Sequence, residues 1–200
     1  MSTIITVCHL KGGTGKTTTT ILLATALTNL GYSVTVYDAD PQGSASEWAA
    51  LAADNNTPLN FPVTVANPAT LNRLRPRTDY VLIDCPPGGS TAINAAINAA
   101  NEIIIPTSPS EIEVDRMWDT LSLSTTKPTH VLITSARLGT TALTDIQKAL
   151  RTENIPTYRT IIPLRQKIKA MWGTNPTGML YGYDTLANTI TENIALKETA

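Results

Sequence analysis

The chain reads as an α/β protein with a doubly wound, mostly parallel twisted sheet and helices on both faces. Three observations predict it. Short, β-branched apolar runs alternate with helix-patterned runs along the 200 residues, the order of parallel sheets built from strand–helix–strand units. The apolar runs are continuous, as in strands buried on both faces. The first of them passes into a glycine-rich loop and then a helix, the arrangement of a phosphate-binding loop.

Strands are expected at 3–8, 33–37, 62–65, 79–84, 102–106, 130–134 and 157–162. A first helix should run from Lys16 to Leu30 and stop at Gly31, which suits the left-handed position after a helix. Another should start at Asn67-Pro68, with Asn67 capping and Pro68 at the first helical position. Further helices are expected at 44–54, 141–153 and 184–198, and one carrying Met117 and Trp118. The segment 173–183, rich in Gly, Pro and Asn, reads as a loop too short to divide domains. One domain over 1–200 is expected, a usual size for this class.

Composition narrows the function. The chain is 42% hydrophobic and 16% charged, with a net charge of −1, so it is not a basic nucleic-acid binder as a whole. Cys8 and Cys85 have no zinc or disulfide spacing and read as buried free thiols, which fits a reducing cytoplasm. No stretch approaches the ~18 apolar residues of a membrane span.

The chemistry starts at Leu10-Lys11-Gly12-Gly13-Thr14-Gly15-Lys16-Thr17-Thr18. Glycines let the backbone curl so that its N–H groups meet phosphate oxygens, and the following helix N-terminus favours an anion. Lys16 can reach the β- and γ-phosphates, and the Thr17 hydroxyl can ligate Mg²⁺. Where the usual pattern begins with glycine, Leu10 stands, and a second lysine, Lys11, follows.

Two further strands end in acids. The run 33–37 leads into Asp38-Ala39-Asp40-Pro41-Gln42-Gly43. Carboxylates at the carboxyl end of a parallel strand lie on the ligand-bearing edge. Two apart on extended chain, Asp38 and Asp40 should point the same way, one holding a magnesium-bound water and the other orienting the attacking water. The run 79–84 ends in Asp84-Cys85-Pro86-Pro87-Gly88, and Asp84 should bind Mg²⁺ through water.

Together these motifs resemble the deviant Walker A ATPases of the ParA/MinD family, most of all the small plasmid-partition ParA proteins. The resemblance is most specific at 10–18, 38–46 and 79–89. It implies that Lys11 crosses a dimer interface to the partner's nucleotide, that Asp40 serves hydrolysis, and that Pro86 to Gly89 sense the γ-phosphate. Thr160-Ile161-Ile162-Pro163 corresponds to the family's adenine-side loop, with Pro163 and Leu164 beside the base. Family members often continue with a basic residue and Ser-Glu-Ala; here Lys169-Ala170 stands in place of the acid. The resemblance further implies ATP and Mg²⁺ as cofactors, an ATP-dependent homodimer, and slow hydrolysis stimulated by a small ParB-like DNA-binding adaptor. It also implies nonspecific DNA binding, nucleoid association, and a plasmid or other cargo to be positioned.

A local basic excess supports the DNA expectation. Lys148, Arg151, Arg159, Arg165, Lys167 and Lys169 stand against one acid, Glu153, and phosphate contacts dominate nonspecific DNA affinity. The alternative is a solvated face. A MinD-like membrane role wants a basic amphipathic C-terminal helix, whereas 189–200 offers Lys197 beside Glu192 and Glu198. Among metabolic P-loop enzymes, a small-molecule ligase has no need of Lys11, and a reductase would need a cysteine pair that Cys8 and Cys85 do not make. Met117 and Trp118 suit either the core or a dimer face. His9 and His130 take no assigned role.

Overall fold

A computed structural model describes residues 2–124 and 126–198. Strands β1 (Thr3–Val7), β2 (Val34–Asp38), β3 (Val63–Val65), β4 (Tyr80–Asp84), β5 (Glu102–Thr107), β6 (Thr129–Ala136) and β7 (Thr157–Pro163) form one sheet in the order β3-β2-β4-β1-β5-β6-β7. Every pairing is parallel. Between them run α1 (Lys16–Asn29), α2 (Ser44–Asp54), α3 (Pro68–Asn72), α4 (Thr91–Ala99), α5 (Glu111–Leu123) and α6 (Thr141–Thr152); α7 (Gln166–Lys169) and α8 (Tyr183–Glu198) follow the last strand.

Both faces of the sheet are covered, which explains the unbroken apolar runs. Ile5, Val7, Leu82 and Ile104 enter one core with α1, α2 and α8. Their neighbours Val81, Ile83, Ile103 and Ile105 enter the other with α3 to α6. Each such side chain, fully withdrawn from water, contributes roughly 1.5–3 kcal/mol before chain entropy is charged against it. α1 is buried almost all round, from Thr19 to Leu27, because it lies between the sheet, α2 and α8.

All seven strands fall where the apolar runs predict them, within two residues at either end. α1 stops one residue early, and Gly31 takes φ +92° as expected. Gly31 N donates to Thr28 O and Tyr32 N to Leu27 O, the two bonds of a Schellman ending. Asn67 caps α3 by accepting from Thr70 N at 3.0 Å, but that helix is only five residues long. Two elements carry no prediction. α4 is written Thr-Ala-Ile-Asn-Ala-Ala-Ile-Asn-Ala and holds through Ile93, Ala96 and Ile97 in the second core. α7 is a single turn. Met117 is fully buried, with Trp118 and Leu121 packed beside it, so this part of α5 belongs to the core. Cys8 and Cys85 are buried free thiols.

The carboxyl ends of β1, β2 and β4 meet at one level: Val7 and Asp38 both pair with Asp84. The loops after them therefore converge at the sheet edge where open α/β sheets bind ligands. Among the described residues no helix is long and apolar enough to cross a membrane. The side chains of 197–200, which bear on the C-terminal charge pattern, lie outside the described residues.

Candidate nucleotide-binding site

The loop between β1 and α1 is held from several sides. Leu10 N donates to the Thr120 hydroxyl of α5 at 3.1 Å, and Gly88 N donates to Leu10 O at 2.7 Å. Lys11 N donates to His9 Nδ1 at 3.0 Å. Burial, with Lys16 adding repulsion, pushes His9 down to about 4, so its ring is neutral and free to accept that bond. His9 thus shapes the loop, a role its sequence position does not reveal.

Gly15 caps α1 at φ +88°, a left-handed conformation that a side chain would strain, and no side chain satisfies the first turn. The N–H groups there remain available to an anion. Lys16 is 6% exposed, and its Nζ donates to Lys11 O at 3.0 Å. Burial pulls its pKa down, against the attraction of Asp84 and Asp40. A buried ammonium held by a loop carbonyl is ready to exchange that carbonyl for a phosphate oxygen. Lys11 points elsewhere: its Nζ meets Glu113 Oε1 of α5 at 3.2 Å, outside the glycine cradle. Burial alone would raise Glu113, but hydrogen bonds from Ser108 and Lys11 hold it below its usual value.

Asp84 is fully buried. It accepts from the Thr17 hydroxyl at 2.7 Å and the Thr20 hydroxyl at 3.4 Å. Burial pushes it up to about 7, with Thr17 opposing and Asp38 adding repulsion. Asp38 and Asp40 do not point the same way, as two positions on an extended segment would. Asp38 is buried; one of its oxygens accepts from Ser46 N at 2.8 Å and Ser46 Oγ at 2.7 Å, tying down the first turn of α2. Its other oxygen accepts from Asp40 N at 3.2 Å. The chain turns after Ala39, and Asp40 faces a cavity of about 400 Å³ together with Gly12, Gly13, Lys16, Thr17 and Pro87. Asp40 also accepts from Gln42 N at 2.9 Å, which fixes its side chain in the turn.

A neighbouring cavity of about 170 Å³ shares Gly13, Gly15 and Thr18 with the first and is bounded by Pro163 and Leu164. Thr14 is buried, its carbonyl accepting from Thr134 Oγ1 at 3.4 Å. The two cavities form one groove along the loop. A larger one, about 590 Å³, lies beside Trp118, Asp145 and Lys148, but it has no phosphate-binding loop on its walls.

The six basic residues do not share one face. Lys148 and Arg151 are on α6, Arg159 is on the edge strand β7, and Arg165, Lys167 and Lys169 sit at α7. All six are exposed. Arg165 and Lys169 line the smaller cavity beside the loop. Trp172, 41% exposed, lines the larger half of the groove. Glu113 and Trp172 reach the site only through the packing of α5 and of the loop after α7, so spacing could not find them.

A parallel sheet with this loop after its central strand defines a P-loop nucleotide-binding fold. The family model described as the CobQ/CobB/MinD/ParA nucleotide binding domain matches residues 5–175, and the chain belongs to that family. It is 34% identical to the maintenance of carboxysome distribution protein A of Gloeobacter kilaueensis, over 80% of this chain and 76% of that protein. It is 25% identical to the sporulation initiation inhibitor protein Soj of Bacillus subtilis, over 82% and 85%. In fold it is similar to the cell division ATPase MinD of Pyrococcus furiosus, with a TM-score of 0.77 at 22% identity, covering 96% of this chain and 99% of that one.

Proposed function

We propose that this chain is an ATPase that dimerises on ATP, binds DNA nonspecifically and positions or segregates a cargo, a plasmid among the candidates, with a small ParB-like adaptor. The observation that carries this reading is Lys11. It is a second lysine at the phosphate loop, outside the glycine cradle and held by one ion pair that is 35% exposed on the lysine side. Its Glu113 partner is 11% exposed and also accepts from Ser108 N at 2.9 Å, so the carboxylate stays hydrogen-bonded when Lys11 leaves for a neighbouring protomer. The carboxysome-distribution relative supports cargo positioning.

Hydrolysis asks the protein to position the phosphates and to stabilise charge on them. The loop N–H groups and Lys16 hold the β- and γ-phosphates, and Lys16 offsets charge growing on the bridging oxygen. Asp40, fixed by Gln42 N, accepts a hydrogen bond from the attacking water and sets its direction. The donor set fits Mg²⁺: the Thr17 hydroxyl and the Asp84 carboxylate, 2.7 Å apart, are hard oxygen groups, and magnesium takes few protein ligands where phosphates and waters complete its shell. Thr17 would hold it directly, with Asp84 and Asp38 behind; bound there, the ion supplies neutralising charge to the phosphates.

Light scattering with ADP, ATP and a nonhydrolysable ATP analogue, with and without duplex DNA, tests the reading. A dimer is expected only with ATP or its analogue, and DNA retention only for that dimer. A monomer in every nucleotide would overturn it.

A further inference from the structure

α7 and the residues after it lie along the nucleotide groove. Arg165, Ile168 and Lys169 line its smaller cavity together with Gly13, Gly15 and Thr18. Trp172 lines the larger one with Lys16 and Asp40. This segment is fastened in place from α2. Trp48 Nε1 donates to Thr174 O at 2.8 Å, and Asn55 Nδ2 donates to Gly173 O at 3.0 Å. The rings of Trp48 and Trp172 are 5.2 Å apart. Gly173, at φ +68°, comes so close to α2 that a Cβ there would stand 2.9 Å from Leu51 Cβ. Ile168 and Met171 pack on the first core.

No carboxylate lines the smaller cavity, and among the described residues neither Arg165 nor Lys169 has an ion-pair partner. Two cations without counter-charge, on an anchored turn, border a cavity that opens onto the N-terminus of α1. Such an arrangement favours an anion. With the β- and γ-phosphates at Lys16 and Thr17, the next anionic group along a nucleotide is its α-phosphate, followed by the ribose hydroxyls. We infer that Arg165 and Lys169 are nucleotide ligands, binding the α-phosphate and ribose. The inference rests on the nucleotide-binding reading of the groove. It gives the members of the basic stretch different roles. Lys167, on the same turn, is exposed and lines neither cavity, so it stays free for a polyanion outside.

The test is calorimetric titration of the full chain with Mg-ATP and with Mg-ADP, for the wild type, Arg165→Gln, Lys169→Gln, Lys169→Arg and Lys167→Gln. A partly solvated charge-assisted contact predicts that each Gln variant at 165 or 169 weakens binding about five- to tenfold. The loss should be equal for ATP and ADP, because the contact precedes the β-phosphate. Lys169→Arg should restore most of the affinity, and Lys167→Gln should bind as the wild type. Wild-type affinity in both Gln variants overturns the inference. So does an equal loss in Lys167→Gln, which would mean a diffuse field, or variants that lose duplex DNA while keeping ADP. If the wild type binds neither nucleotide, the groove itself has been misread and the inference falls with it.

Discussion

Replacing Asp84 with asparagine removes a buried charge and keeps the shape of the side chain. Burial pushes the carboxyl up to about 7 from 3.8. A carboxyl raised in the folded state binds its proton more tightly there than in the unfolded chain. Between pH 3.8 and about 7 the folded protein holds that proton and the unfolded chain does not. Stability therefore falls as pH rises through this window, by ~1.36 kcal/mol per pH unit, and the loss is complete above it. A window of roughly three pH units gives about 4 kcal/mol as the ceiling. The asparagine side chain cannot ionise, and its carbonyl can still accept from the Thr17 hydroxyl, now 2.7 Å from Asp84. Asp84→Asn should thus be more stable than the wild type at pH 8 by up to about 4 kcal/mol, with the gap closing by ~1.4 kcal/mol per unit below pH 7. The same variant should lose magnesium-dependent hydrolysis. Urea unfolding without nucleotide at pH 5, 6, 7 and 8 measures the gap. A gap that does not change with pH would show that burial does not hold the Asp84 carboxyl protonated.

Four further variants have defined expected outcomes. Asp40→Ala should bind ATP and dimerise but lose hydrolysis, read as unchanged nucleotide Kd with turnover reduced at least about a hundredfold; an equal loss of affinity would make Asp40 chiefly a metal-site residue. Lys11→Ala should keep nucleotide binding and lose ATP-driven dimerisation, while Glu113→Gln, which frees Lys11 from its ion pair, should lower the protein concentration at which the dimer forms; scattering against protein concentration decides both. Gly173→Ala should cost roughly 1–3 kcal/mol of stability in a denaturant titration, since its φ is +68° and the new methyl meets Leu51.

Much of this protein is decided locally. Val34–Asp38 and Tyr80–Asp84 are strands ending in acids, and a short apolar run closed by a polar residue has few other uses in an α/β chain. Gly15 and Gly31 mark the ends of α1 because only glycine takes those left-handed conformations cheaply. The phosphate loop is legible because its chemistry needs consecutive residues. α4 is not, since alanines and asparagines carry weak periodicity and that helix is held by what it buries. Other features depend on which elements meet. Lys11 finds Glu113 across 102 positions, and Trp48 finds Thr174 across 126. The basic stretch 148–169 looks like one feature when charge is counted along the chain. Folding distributes it over α6, the edge of β7 and α7, since a crossover helix and the strand after it lie in different layers. Likewise Asp38 and Asp40, two residues apart, have different partners because the chain turns between them, one bracing α2 and the other facing the groove. Sequence spacing determines which groups are available; burial and packing determine which of them share a site.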